Sequence, residues 1–242
     1  MIEVFGNMKR LISVALLMSM SVLATDNEIY VEQSGDNANI DLEQLGSGNM
    51  IGGLQSSVGS MNPLDLDGLN LTLDINQIGN SNSFLGDIYG DNVTAFFEFD
   101  GDSNAFTIQA DPTNTFGIDS SNYNVDVTGN SNIFTLDHAT TALAGTLDLD
   151  WIINGSGNEF DFNIDYDGAT NYVDVDGDDN TLNLTASGYA GGYFYLDQEG
   201  DDRTFNIQQL STLDNDWLKI LSTGDNGTVC IIQNDSGTST GC

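Results

Sequence analysis

Val125-Asp126-Val127-Thr128-Gly129-Asn130-Ser131-Asn132-Ile133-Phe134-Thr135-Leu136 is the segment whose reading decides the fold. Val125 and Val127 stand two apart before the glycine, and Phe134 and Leu136 stand two apart after it. Period-two alternation on both sides of a turn means two strands that share one buried face. The turn chemistry agrees, since Gly supplies positive φ and short polar residues tolerate left-handed backbone.

The same pattern recurs along the chain. Gly46, Gly79, Gly101, Gly129, Gly155 and Gly177 are each followed three residues later by an asparagine: Asn49, Asn82, Asn104, Asn132, Asn158 and Asn180. Degenerate copies are read at Gly35, with Ala38 in the asparagine place, at Gly200 with Arg203, and at Gly224 with Gly227. From Gly79 onward the glycines are 22, 28, 26, 22, 23 and 24 residues apart. Five residues after each of these glycines comes an apolar residue: Phe84, Phe106, Phe134, Phe160, Leu182, Phe205 and Val229. A fixed period of this length marks a repeat architecture.

Each unit spends about half its length on strand, turn and strand, and the rest returning to the next copy, enough for two strands and two tight turns per coil. The spacing predicts an all-β solenoid of stacked strand–turn–strand coils with parallel, in-register pairing. No unit can bury its own face, but a stack can. Seven to nine coils at ~4.7–4.9 Å per strand give a rod of roughly 35–45 Å. Six asparagines at one register predict an amide ladder along it.

Asp plus Glu number 37 against 4 Lys plus Arg, a formal charge of -33. That excludes nucleic acid as a partner, because phosphates require cations, and excludes electrostatic binding to anionic membranes. Like-charge repulsion keeps such a chain soluble, and salt screens it. At the N-terminus, Lys9 and Arg10 precede the apolar run Leu11 to Leu23, with Val22 and Ala24 at small positions. Residues 1–24 read as an export signal and 25–242 as the repeat domain, a secreted chain using the Sec route to the cell surface or beyond. The apolar run is too short for a membrane span, so no membrane insertion is expected after its removal. Cys230 and Cys242, the only cysteines, are expected in an exported chain to form a disulfide closing the terminal loop.

Gln44-Leu-Gly46-Ser-Gly-Asn49 with Ile51 and Gln55 resembles the curlin repeat of curli amyloid fibres: Gln, Gly two on, Asn five on, an apolar residue seven on, and Gln eleven on. Gln33, Gly35, Ile40 and Gln44 fit except at Ala38, Gln77 to Asn82 fits the first half, and Gln198, Gly200, Phe205 and Gln209 fit except at Arg203. Central copies depart, with Phe99, Val127, Ile153 and Val175 at the first Gln position, and Ile88, Ala110, His138, Ile164 and Ala186 at the second. The resemblance implies a structural subunit of extracellular functional-amyloid fibres in adhesion or biofilm matrix, self-associating or co-assembling with a related subunit. The aspartates crowded beside turns, such as Asp174, Asp176, Asp178 and Asp179, read as charged gatekeepers against uncontrolled stacking.

Catalytic chemistry is sparse. His138 is the sole histidine and falls at an inward position. Asp148/Asp150 and Asp165/Asp167 alternate on strands and read as a solvated face rather than a glycosidase pair. The chain reads as no enzyme and carries no cofactor. Calcium is the competing reading: Asp174 to Asn180 is rich in oxygen donors, but the twelfth position of an EF-hand counted from Asp174 is Thr185. The Tyr189–Tyr195 aromatics suit a glycan site or ordinary strand packing. The rival to the fibre subunit is a discrete acidic solenoid, stabilised by calcium and acting as an adhesin or virion fibre.

Overall fold

The computed structural model of the chain describes residues 27–46, 48–54, 61–62, 64–79, 81–111, 118–139, 145–166, 168, 170–188, 192–211 and 217–233. Residues 1–24, expected to be an export signal, and Gln55, Asp167, Tyr189 and Cys242 lie outside them.

Every element among these residues is a strand. In chain order they are β1 (Asn27–Ile29), β2 (Glu32–Ser34), β3 (Asn39–Leu45), β4 (Asn49–Ile51), β5 (Gly53–Leu54), β6 (Met61–Asn62) and β7 (Leu64–Asp67). Then come β8 (Thr72–Ile78), β9 (Ser83–Tyr89), β10 (Thr94–Asp100), β11 (Ala105–Ala110), β12 (Ser121–Thr128), β13 (Ile133–His138) and β14 (Leu147–Asn154). The last are β15 (Glu159–Tyr166), β16 (Thr170–Asp176), β17 (Thr181–Gly188), β18 (Tyr193–Glu199), β19 (Thr204–Ser211), β20 (Trp217–Thr223) and β21 (Thr228–Gln233).

The chain winds into two parallel sheets as a β-solenoid. Sheet I holds the strands that enter the recurrent glycine turn, in the order β3-β8-β10-β12-β14-β16-β18-β20. Sheet II holds those that leave it, with β9, β11, β13, β15, β17, β19 and β21 adjacent in that order. Before β9, two layers of sheet II are split: β4 and β7 both pair with β9, β1 pairs with β4, and β2 pairs with β7. The antiparallel pair β5–β6 bulges out between β4 and β7. All other pairing is parallel and in register, as the repeat spacing predicts.

The core lies between the sheets. Phe84, Phe106, Phe134, Phe160, Leu182, Phe205 and Val229 are successive register partners in sheet II. Phe134 and Phe160 stack at 5.1 Å with planes 7° apart, and Phe84 and Phe106 at 5.2 Å. From sheet I, buried Trp151 meets Phe106, Phe134 and Phe162 edge-on. Gly86 sits where an added Cβ would lie 2.7 Å from the Phe84 ring, so its missing side chain gives that ring its space.

Candidate functional site: stacked arcs, faces and open ends

The arc between sheets explains its own consensus once its backbone hydrogen bonds are accounted for, as buried or closely packed polar groups require. Gly129, at φ 143°, donates its N–H to the Asn154 carbonyl of the next coil at 2.9 Å. The second arc residue carries a short side-chain acceptor for the next coil: Asn130 N–H bonds Asp102 Oδ1, Ser156 N–H bonds Asn130 Oδ1, and Asp201 N–H bonds Asp178 Oδ1 at 2.7 Å. The third is left-handed (Ser103 φ 62°, Ser131 φ 59°, Asp179 φ 58°) and donates to the next coil's arc, as Ser131 N–H does to Ser156 O at 2.9 Å. The fourth is the buried asparagine.

These asparagines form a ladder of a different kind from an amide-to-amide one. Oδ1 of Asn104, Asn132, Asn158 and Asn180 accepts the backbone N–H of the asparagine one coil earlier, at 2.8–3.0 Å. Nδ2 of Asn49, Asn82, Asn104, Asn158 and Asn180 donates back to the glycine carbonyl of its own arc. The expectation of side chain bonding side chain is therefore corrected at this column: the backbone N–H lies within reach of the amide oxygen and takes it. Amide-to-amide bonds do join the glutamines, Gln77 Nε2 to Gln44 Oε1 at 2.7 Å and Gln233 Nε2 to Gln209 Oε1 at 3.2 Å.

Arg203 ends the asparagine column. It is buried, and its guanidinium reaches over to donate to the Thr223 and Gly224 carbonyls of the last coil. Gly227 leaves it room, since a Cβ there would stand 3.3 Å from Nη2.

Gly35 does not belong to the Gly46 column. It heads a second arc, on the opposite side of the rod, that returns the chain from sheet II to sheet I and is repeated at Gly68 and Gly90. A Cβ on Gly68 would lie 2.3 Å from the Gly35 carbonyl oxygen, and one on Gly90 1.9 Å from that of Gly68. Asn37, Asn70 and Asn92 take its left-handed position, and the next residue is Ala38, Leu71 or Val93. Ala38 is thus no degraded asparagine; its column is apolar because it packs against the core beside sheet I.

The aspartates read above as gatekeepers also serve as structural acceptors. Asp178 closes an inter-coil bond, and Asp174 accepts the Tyr172 hydroxyl at 3.4 Å. Burial, then the Asp197 charge one coil on, raises the Asp174 pKa. On sheet II the register column Asp65–Asp87 behaves likewise: Asp87 is raised by burial first and by Asp65 second. Among the described residues no three His, Cys, Asp or Glu side chains are placed to hold a metal ion together.

Asp148 and Asp150 both face solvent from sheet I, beside a shallow depression of about 480 Å³ that Phe96, Asn124 and Tyr172 also line. On the same face Tyr172 stacks on Tyr195 (5.0 Å, 6°) and Tyr193 on Trp217 (4.3 Å, 14°), with Lys219 Nζ 4.7 Å from the Tyr195 ring centre. The rings stack in pairs along the rod, and Trp217, in the last strand of sheet I, is 47% exposed. His138 is fully buried, its Nδ1 3.1 Å from the Asp165 carbonyl and its ring edge-on to Tyr123. Burial lowers its pKa to about 4, opposed by the Asp165 carbonyl and the Asp111 charge. Cys230 is disulfide-bonded.

Among the described residues no further strand covers either end of the stack. Val229 and Ile231 of the last coil are 48% and 47% exposed, whereas their register partners Phe205 and Ile207 are 2% and 0%. At the other end Ile29, Val31, Ile40 and Leu42 are only partly covered. Periodicity finds the columns, but it cannot find these ends, because an end has no repeat to announce it.

No family model, curated protein or solved structure matches this chain.

Proposed function

We propose that the chain is an exported structural subunit of curli-like extracellular fibres that adds copies of itself, or of a related subunit, end to end. One observation carries the reading: the apolar columns run the length of the rod and stop uncovered at Val229 and Ile231. Among the described residues β20 and β21 end their sheets, and a strand edge of this kind can template another strand, with hydrogen bonds already aimed along the axis. The resemblance to the curlin repeat supports it independently, at Gln44 to Ile51 most completely. The role is mechanical rather than catalytic: the buried asparagine column fastens one arc to the next through backbone N–H and carbonyl groups.

The charge of -33 makes assembly salt-dependent, because stacked copies bring acidic columns into line. Residues 25–242 in low salt and in about 1 M salt should differ in the rate at which they form thioflavin-positive fibres. Fibre diffraction should then show the strand spacing along the axis. A chain that stays monomeric for days in concentrated salt without dye response overturns the reading. A monomer whose melting temperature climbs with calcium supports the discrete adhesin rod instead.

A further inference from the structure

Among the described residues the two sheets do not match in depth. Sheet I has eight strands, whereas sheet II has the layer formed by β1 and β2 in addition to eight layers from β4/β7 to β21. The described chain therefore enters and leaves the stack on sheet II. If β1–β2 of an incoming copy sat on β21, one strand would be missing from sheet I between β20 and the incoming β3. If β3 sat on β20, β1–β2 would fall in the space that β21 occupies. With β1–β2 in place, the two copies cannot be continuous in both sheets at once.

We propose that β1–β2 is a detachable first layer that blocks seamless end-to-end docking, and that a second copy docks on β20–β21 through β3 and β4/β7 once that layer has been displaced. This rests on the fibre reading. The layer is split into two strands of three residues, each held on one side only and by three register pairs, where the sheet II strands from β9 to β19 are continuous and paired on both sides. The docking partner is a second copy because the columns meet in kind. Carried one step further, the sheet I register sets Ile40 on Leu218, Leu42 on Ile220 and Gln44 on Ser222. The same step puts Asp41 beside Lys219, one of only four basic residues in the chain. Lys219 is the sole charged residue of β20 and β21, and this register gives it a carboxylate partner.

Two variants test this in concentrated salt. A chain lacking residues 25–37 should elongate at least ~10-fold faster than the intact one, of which only the fraction with β1–β2 detached is competent. Glu32→Cys with Asp65→Cys, register partners across β2 and β7, should lock the layer when oxidised. That form should elongate at least ~10-fold more slowly than the intact chain and recover on reduction, with the intact chain under the same reductant as the reference. If the deletion variant lacks β circular dichroism, the oxidised and reduced comparison decides alone. Equal elongation of the locked and intact chains overturns this proposal while the fibre reading stands. Failure of every form to assemble overturns both.

Discussion

The backbone N–H of Asn82 donates to Oδ1 of Asn104, 22 residues later and one coil up, at 2.8 Å, while Nδ2 of the same Asn104 donates to the Gly101 carbonyl at 2.8 Å. One buried side chain thus fastens its own arc and the arc before it. Asn104→Ala leaves a buried donor and a carbonyl without partners, which costs about 1–3 kcal/mol for each group left unsatisfied. Asp178→Ala removes an equivalent acceptor at an exposed arc position, where water replaces it, and should cost below about 1 kcal/mol. Urea unfolding of the two variants measures the difference; equal losses would contradict the account of the column.

Gly129 is constrained twice. Its φ of 143° suits glycine alone, and a Cβ would stand 1.9 Å from the Gly101 carbonyl oxygen, a backbone atom that cannot rotate away. Gly129→Ala must push neighbouring coils apart locally, so a loss of more than about 3 kcal/mol is expected, in the range reserved for backbone strain and core disruption. Thermal unfolding with a cost under about 1 kcal/mol would refute the close stacking of arcs.

Core position along the rod should set the value of a column residue. Phe134, fully buried between Phe106 and Phe160, should cost about 3–5 kcal/mol on truncation to alanine. Val229 belongs to the same column but is half exposed, so Val229→Ala should cost below about 1 kcal/mol in the monomer, surface positions being tolerant. In assembled fibres the gap should close, because docking buries Val229; seeded elongation by the Val229→Ala chain compares directly with the parent.

His138 gives a pH dependence whose sign is fixed by burial. Its folded pKa is lowered to about 4 from an ordinary 6.5, so the unfolded chain takes up the proton first. The neutral ring's contribution is intact above 6.5 and is lost as pH falls towards about 4, some 3 kcal/mol in all by linkage. The raised carboxylates oppose it: Asp87, Asp165 and Asp174 hold protons more readily when folded, chiefly through burial, so acid favours their folded forms. His138→Gln, which places at this site the residue found in its own column at Gln209, should remove the destabilising limb and leave the stabilising one. Urea unfolding of both chains at pH 7 and pH 4.5 reads it; parallel losses in the two would show that His138 contributes nothing.

The repeat is legible because its physics is local. Alternation around Gly129 names two strands and one inward face, and recurrence at Phe106, Phe134 and Phe160 names the column, since a side chain's direction in a strand follows from parity alone. The second arc is harder to see. Gly35, Gly68 and Gly90 head it, but its later copies change residue type, Ile118 taking a left-handed φ of 70°. Lengths of return vary too, so periodicity blurs there and puts Ala38 in the wrong column.

By itself the sequence determined that this chain is a stack: strand period, turn chemistry and the register of Phe and Asn follow from residue order without any knowledge of neighbours. Only the tertiary structure decided where each polar atom finds its partner. Asn104 could bond another amide or a backbone N–H, and the choice depends on which lies within reach once two coils are superposed. The unequal depth of the two sheets is likewise a property of the assembled rod. It arises from β1–β2 lying under β4 and β7, a pairing across an inserted hairpin that no local pattern encodes.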